Sequence, residues 1–237
     1  MQEILSNGIK VQYPDEHFRL STDSVVLADF ADFRPTDTVC DLGCGCGGLT
    51  FLLAAKYPRL HLTGIELQAS AAETAKQNAA DNALTERVQI LCGDLREHRS
   101  MFSPCSFDGV IANPPYYPPK SGEAAKSDAL AGARSERTCT LDDLCRAAAW
   151  LLKTGGRFYL VHKPERLTDL MVCLRAHGLE PKHLRFVRHR PNSTPSLVLL
   201  SCRRGGKAGL TLENDLILFE TDGSESAEYR RIYHQEG

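Results

Sequence analysis

No stretch of this chain approaches the ~20 apolar residues that a membrane-spanning helix needs. Residues 1–13 lack the apolar core of a signal peptide, so the sequence predicts a cytoplasmic protein without a membrane partner. Nine cysteines are present without any CxxC pair, which favours a reducing compartment over a disulfide framework. Cys44 and Cys46 are close in sequence but have no further ligands beside them, so no metal is expected.

An excess of charge of one sign is also missing. The formal net charge of −2 argues against a uniformly basic coat for nucleic acid, although not against a local patch. With 237 residues, 42% of them hydrophobic and 24% charged, the chain suffices for one large α/β domain, alone or with appendages.

Apolar segments alternate between strand-like and helix-like patterns along the chain. Strands are predicted at Thr38–Leu42, His61–Glu66, 88–91, 110–112 and 157–162, and helices at 25–30, 49–56, 68–82, 141–152 and 165–177. Gly155 and Gly156 are expected to stop the helix that precedes them. Strands alternating with helices predict a doubly wound parallel sheet, and segments 183–189 and 197–202 predict an antiparallel pair at its end.

A glycine-rich turn follows the first of these strands. Gly43, Gly45 and Gly48 match the G-x-G-x-x-G of dinucleotide-binding enzymes, although glycines can also serve tight helix–strand packing alone. Asp41 precedes the turn, where a carboxylate would repel a pyrophosphate but favour a cation. The first strand also begins only at Thr38. Both observations favour S-adenosylmethionine, whose sulfonium and amino groups are positive, over a dinucleotide.

Two acids follow the next two strands. Glu66 ends its strand about twenty residues past the glycines, where an acid can accept hydrogen bonds from both hydroxyls of a ribose. Asp94 follows the third strand and is a candidate contact for an adenine amino group.

The strand at 110–112 stops at Asn113-Pro114-Pro115-Tyr116. The prolines fix φ and cannot donate a backbone hydrogen bond, so they predict a stiff corner that presents an amide, outward carbonyls and an aromatic face. Such a corner suits a planar group that carries an NH2. The Asn113 oxygen and the Pro114 carbonyl would hold the hydrogens of that NH2, and Tyr116 would stack on the base.

These pieces together resemble a known family. The run from Asp41 to Gly47, then Glu66, Asp94 and the Asn-Pro-Pro-Tyr tetrad are similar to class I, Rossmann-like S-adenosylmethionine-dependent methyltransferases. The tetrad is typical of enzymes that methylate adenine N6 or glutamine N5. Segments 18–28, 133–136 and 182–198 bring the chain closest to the bacterial valine-tRNA adenine-N6 methyltransferases. The end at 233–236 matches that family loosely, and cysteines stand between the glycines where Thr is more usual.

The resemblance implies a seven-stranded, mostly parallel sheet with a C-terminal antiparallel hairpin, S-adenosylmethionine as cofactor, and the anticodon loop of a tRNA as substrate. The cofactor-binding residues it predicts are Thr22, Asp23, Asp41, Gly43, Cys44, Gly45, Gly47, Glu66, Leu67, Asp94, Leu95 and Asn113. For Thr22 and Asp23, helix capping alone is an equal alternative. The predicted catalytic residues are Asn113, Pro114, Pro115 and Tyr116.

Residues 1–34 are predicted to form a cover and a helix that packs on the cofactor pocket, and 35–237 the methyltransferase domain with a mobile substrate loop at 117–138. The region 181–212 contains no Asp or Glu and is predicted to contact phosphates, unless it is merely a solvated sheet edge. The predicted RNA-binding residues are Tyr116, Tyr117, Lys120, Arg134, Arg185, Arg188, Arg190, Arg203, Arg204 and Lys207.

Four alternatives remain at this point. Glutamine-N5 methyltransferases carry a sizeable helical N-terminal domain, for which the short segment before Thr38 leaves little room. Guanine-N2 methyltransferases usually carry Phe at the position of Tyr116. A non-catalytic RNA-binding protein with this fold would not need Asp41, Glu66 and Asn113 together, and a nicotinamide oxidoreductase would bind NADH instead.

Overall fold

A computed structural model describes residues 2–5, 8–14, 20–114 and 139–234. Its helices are α1 (Thr22–Phe30), α2 (Gly48–Lys56), α3 (Ala69–Asp81), α4 (His98–Met101), α5 (Leu141–Leu151), α6 (Leu167–Ala176) and α7 (Ala227–His234). Its strands are β1 (Gln2–Ile4), β2 (Lys10–Gln12), β3 (Thr38–Leu42), β4 (His61–Glu66), β5 (Val88–Cys92), β6 (Phe107–Ala112), β7 (Leu152–His162), β8 (Leu179–Arg188), β9 (Pro195–Arg204), β10 (Thr211–Leu212) and β11 (Leu216–Ile217).

The main sheet has the order β10-β8-β9-β7-β6-β3-β4-β5, with β11 also beside β8. The strands from β5 to β7 in this order are parallel, whereas β9 is antiparallel to both β7 and β8. The predicted doubly wound sheet of seven strands with a C-terminal antiparallel hairpin is confirmed in β3 to β9. Two short strands, β10 and β11, extend it in parallel with β8.

The predicted boundaries around α5 are wrong in detail. The helix ends at Leu151, and Gly155 and Gly156 do not stop it but lie within β7. Gly155 has φ +77°, and the pairing of β6 with β7 shifts register between Phe107 and Gly109. The glycines therefore accommodate an irregularity at the start of a strand. The helix predicted at 165–177 divides into a 3-10 turn, Pro164–Arg166, and α6.

Helices cover both faces of the sheet, which gives two hydrophobic cores. On β6, Ile111 contributes to the core beneath α1, α2 and α3, while Val110 and Ala112 contribute to the core beneath α5 and α6. Full burial of each large aliphatic side chain stabilises the fold by about 1.5–3 kcal/mol. Burial on both faces explains why these strands have continuous apolar sequences.

The order of the strands reverses between β3 and β6. From β3 the chain proceeds outward through β4 and β5 on one side, and later through β6 and β7 on the other. In open α/β sheets ligands bind outside the carboxyl ends of the strands at such a switch point. Asp41 pairs with Ile111, so the residues that follow β3 and β6 lie side by side at this edge.

Both ends of the described chain pack on this domain. The hairpin of β1 and β2 is held by Asn82 and by Asn78, whose side chain exchanges hydrogen bonds with the Gln12 backbone at 2.8 and 3.1 Å. Helix α7 packs on α1 through Arg231, which forms two 3.2 Å contacts with the Asp29 carboxylate. Within the described residues, no helix has the length and apolar character needed to cross a membrane.

Candidate active site

The loop after β3 opens a space next to the sheet. Gly43, Gly45 and Gly47 have φ values of +80°, +56° and +92°, which L side chains rarely adopt. A Cβ built on Gly43 or Gly45 would meet no atom within 4 Å, whereas one on Gly47 would lie 2.3 Å from the Phe51 ring. Gly47 therefore allows α2 to start close to the loop, and the space beside Gly43 and Gly45 can hold a ligand.

The two cysteines between these glycines are buried. A Cβ on Gly64 of the neighbouring strand would lie 2.6 Å from the Cys44 sulfur, so this thiol packs inward against β4. Burial raises the pKa of Cys46 to about 11, which keeps it as a neutral thiol. Because its thiol packs against β4, Cys44 can contact a cofactor only through its backbone.

Asp41 lies beneath the loop and is 1% exposed. Thr50 on α2 donates a 2.6 Å hydrogen bond to its Oδ2, while its Oδ1 is buried without a hydrogen-bond partner among the described residues. Burial raises the pKa of Asp41 to about 7, and the nearby Glu66 charge adds to this effect. A buried carboxylate with one unsatisfied oxygen is a ready acceptor for a cation or its N–H groups.

Glu66 ends β4 beside the glycine loop, and its side chain is held from two sides. The Gly45 N–H donates to Oε2 at 2.9 Å, and the Gln68 N–H donates to Oε1 at 2.8 Å. Each carboxylate oxygen can accept a second hydrogen bond. Leu67 follows with 45% of its side chain exposed, so an apolar surface adjoins this acid. The geometry suits a ribose with a flat base beyond it.

Asp94 is already engaged by a neighbour, which the sequence did not indicate. The Arg96 guanidinium forms a bidentate contact with it, and the Arg96 N–H donates to Oδ1 at 2.9 Å. These hydrogen bonds hold the pKa of Asp94 below its ordinary value. Leu95 packs partly buried against the core beneath α5 and α6. A contact from Asp94 to an adenine would have to share the carboxylate with Arg96.

Asn113 follows β6 with its side chain turned toward α1. Its Nδ2 donates a 3.0 Å hydrogen bond to the Ser24 hydroxyl. The Ser24 hydroxyl also accepts a hydrogen bond from Ser21 at 3.3 Å. Because the amide nitrogen donates to Ser24, the other polar atom of this side chain is the amide oxygen, which acts only as an acceptor. Ser24 is an addition to the predicted site, and Asn113 and Pro114 are both half-buried.

The cap of α1 is Ser21 rather than Thr22 or Asp23, whose predicted roles at the cofactor pocket stay predictions. The helix is capped by Ser21, whose side chain accepts from the Ser24 N–H at 3.2 Å. Thr22 is the first helical residue, and its side chain lies close to Tyr229 of α7. Asp23 lies in the first turn, where a negative charge favours the helix dipole. Thr22 therefore connects α1 to the C-terminal helix.

Two further residues support the loop and were not predicted. Thr50 holds Asp41, as described above. Asn78 is 1% exposed, and its Nδ2 donates to the Cys46 carbonyl at 3.1 Å while it also binds the N-terminal hairpin. Both residues lie on helices and contact the loop only in the folded chain, so sequence spacing gives no signal for them.

Residues 181–212 contain no Asp or Glu, but acidic side chains from other segments lie beside this region in the folded chain. Arg185 contacts Glu228 at 2.7 Å, and Arg188 contacts Asp215. Arg203 and Arg204 donate to the backbone carbonyls of residues 155 and 152. The Lys182 ammonium donates to the Lys207 carbonyl, and Arg190 is exposed with only its backbone bonded among the described residues.

The predictions for Pro115, Tyr116, Tyr117, Lys120, Arg134 and the loop 117–138 lie outside the described residues.

The fold and the glycine loop together define a Rossmann-like methyltransferase. A predicted O-methyltransferase from Agrobacterium tumefaciens, solved as a crystal structure, has the same fold with a TM-score of 0.73 at 23% identity, covering 89% of this chain and 95% of that chain. The family model described as methyltransferase small domain matches residues 19–171. The chain belongs to this methyltransferase family, which confirms the enzyme class predicted from the sequence.

Curated relatives match over most of both chains. A protein of Porphyromonas gingivalis is 31% identical over 222 residues, which are 90% of this chain and 86% of the relative. A protein of Vibrio vulnificus is 31% identical over 210 residues, which are 86% of this chain and 82% of the relative. Both relatives are named tRNA1(Val) (adenine(37)-N6)-methyltransferase.

Proposed function

We propose that this enzyme transfers a methyl group from S-adenosylmethionine to adenine N6 in the anticodon loop of a valine tRNA. The observation that carries the proposal is the position of Asn113 at the switch point of the sheet, beside the glycine loop and oriented by Ser24. The names of the curated relatives support the same substrate.

The residues around the loop fit the proposed cofactor. Asp41 offers a buried, unsatisfied oxygen to a cationic amino group, and Gly43 and Gly45 leave room for the ligand. Glu66 can accept the ribose hydroxyls with its remaining lone pairs, while Leu67 lies where the base would extend. When bound, S-adenosylmethionine supplies a methyl group that its sulfonium already makes electrophilic, so the transfer itself needs no metal ion.

Asn113 and Pro114 act on the other reactant. The lone pair of an exocyclic adenine nitrogen is delocalised into the ring, which makes this nitrogen a poor nucleophile. The Asn113 Oδ1 and the Pro114 carbonyl accept its two hydrogens and hold it closer to tetrahedral. These contacts strengthen as positive charge develops on the nitrogen, and interactions that strengthen in the transition state raise kcat.

The region 181–212 and the proposed loop 117–138 would hold the RNA. Of the basic residues in the described region, Arg190 and Lys207 are well placed for phosphate contact because both are exposed, whereas Arg185 is fixed by Glu228. A base in an anticodon loop is easier to turn into a site than a base in a duplex, since it costs less to unstack.

Incubation with total tRNA and S-adenosylmethionine, followed by nucleoside mass spectrometry, tests the proposal. The tRNA should come from cells that lack this enzyme, so that its target nucleotide is unmodified. We expect new N6-methyladenosine, mapped to one adenine of valine tRNA. N2-methylguanosine in the RNA, or no newly methylated nucleoside, would contradict the proposed substrate while leaving the enzyme class intact.

A further inference from the structure

A cluster of metal-ligating side chains lies between α5 and α6, and the methyltransferase reaction does not use it. Asp142 comes from the first turn of α5, and Cys173 and His177 come from the end of α6. One oxygen, sulfur or nitrogen atom from each of the three residues lies within 4.8 Å of the corresponding atoms of the other two. The cluster combines a carboxylate, a thiol and an imidazole, which are the side chains that bind Zn²⁺.

We propose that Asp142, Cys173 and His177 bind one zinc ion that joins α5 to α6. Cys173 and His177 are four positions apart at the end of one helix, so both project from the same face. Ligands of a tetrahedral zinc ion are about 3.3–3.7 Å apart. The separations within the cluster reach up to 4.8 Å, so the widest would shorten by about 1 Å around a zinc ion, while the 2.7 Å between Asp142 Oδ1 and His177 Nε2 would lengthen by about 0.6 Å. Both changes are within the reach of side-chain rotation.

The carboxylate of Asp142 is already oriented for this role. Its Oδ1 lies 2.7 Å from His177 Nε2, while its Oδ2 accepts from Arg146 at 3.1 Å. Arg146 therefore holds one oxygen, while the other is hydrogen-bonded to His177 Nε2, a contact that a bound zinc ion would replace. Such outer partners fix the orientation of metal ligands.

The surroundings of the other two ligands also suit a bound cation. Cys173 packs against the hydrophobic core that contains the buried Cys145, so its sulfur has the core on one side. His177 is the C-cap of α6, so its ring lies at the negative end of the helix dipole. Asp142 is exposed, so water could reach the fourth position of a zinc ion from that side.

Cobalt(II) reports on this site directly, because a thiolate bound to cobalt gives a charge-transfer absorption band. Metal-free protein is titrated with Co²⁺ and then with Zn²⁺. We expect one equivalent of Co²⁺ to produce the thiolate band and one equivalent of Zn²⁺ to remove it. The band should be lost in Cys173→Ser, and the affinity should fall at least about tenfold in His177→Gln.

Two control variants keep the result specific. Cys105→Ser removes an exposed thiol elsewhere. His183→Gln breaks a second histidine–carboxylate pair, in which His183 lies 3.1 Å from Glu213 and which belongs to no three-ligand cluster among the described residues. Both should retain the cobalt band. Zinc should also raise the Tm of the parent protein but not that of Cys173→Ser. Absence of the band in the parent protein, or its persistence in Cys173→Ser, would overturn the proposal. Both readouts are independent of methyl transfer.

Discussion

Asn113 donates its side-chain hydrogen bond to Ser24 over 3.0 Å, across 89 positions of sequence. This contact connects the strand that ends in Asn-Pro to the helix that precedes the whole α/β unit. The contact fixes which atom of the amide meets Ser24, because the nitrogen donates to the Ser24 hydroxyl and the oxygen does not. The orientation that the proposed chemistry needs is thus set by a residue outside the tetrad.

Ser24→Ala should therefore slow catalysis more than it weakens cofactor binding. A single net hydrogen bond is worth about 0.5–1.5 kcal/mol, so kcat should fall by up to about tenfold. Steady-state kinetics with the tRNA substrate, together with calorimetry for S-adenosylmethionine, measure the two effects. Ser201→Ala on β9 is the matched control, since Ser201 is 8% exposed and Ser24 9%. Equal kcat in both variants would show that Ser24 does not orient Asn113 for catalysis.

Cofactor binding should depend on pH through Asp41. Its pKa is raised to about 7 by burial, so the carboxyl gains a proton as the pH falls below that value. If the ionised form binds the cationic cofactor, the Kd should rise roughly tenfold per pH unit below 7 and level off above it. Calorimetry between about pH 5 and pH 9 measures this. Asp41→Asn should bind more weakly, without this dependence; an unchanged pH profile in the variant would exclude Asp41.

The same residue should influence the stability of the ligand-free protein. Because its pKa in the folded state lies above its ordinary value of 3.8, the native state retains a proton that the unfolded chain releases. Stability is then lost as the pH rises from about 4 to about 7, by on the order of a few kcal/mol. Asp41→Asn keeps an acceptor for Thr50 and removes the buried charge. Urea unfolding should find the variant more stable than the parent at pH 8 but not at pH 4; a constant difference would contradict the assignment.

Arg190 and Arg185 should behave differently although both belong to the acid-free run. Arg190→Ala should weaken tRNA binding and lower the salt slope of log Kd by about one, because it removes one phosphate contact. Arg185→Ala breaks a 2.7 Å contact with Glu228, so it should lower the Tm and leave the salt slope unchanged. Filter binding at several salt concentrations and thermal unfolding separate the two. The reverse assignment of effects would show that Arg185, not Arg190, contacts RNA.

Much of this arrangement could be predicted from sequence because its signals are local. The glycine turn, Glu66 at a strand end and the Asn-Pro corner each depend on residues that are adjacent in the chain. The parallel order of strands then brings these turns to one edge. By contrast, β10 and β11 have two residues each, too few for a periodic pattern.

The contacts that could not be predicted from the sequence join segments that are far apart in the chain. Ser24 with Asn113 and Asn78 with the glycine loop need the folded sheet to bring them together. The ion pairs of region 181–212 could not be predicted for the same reason. Residues 181–212 contain no acid, yet Asp215 and Glu228 return from beyond that region and pair with Arg188 and Arg185.

The most direct test of the central claim is Asn113→Ala, measured for methyl transfer to tRNA and for S-adenosylmethionine affinity in the same preparation. Losing one preorganised hydrogen-bonding group that stabilises a transition state typically costs about 10²–10³-fold in kcat. We expect a loss of at least that size, with the cofactor Kd within a few fold of the parent. Turnover within about tenfold of the parent would contradict the claim that Asn113 holds the amino group during transfer.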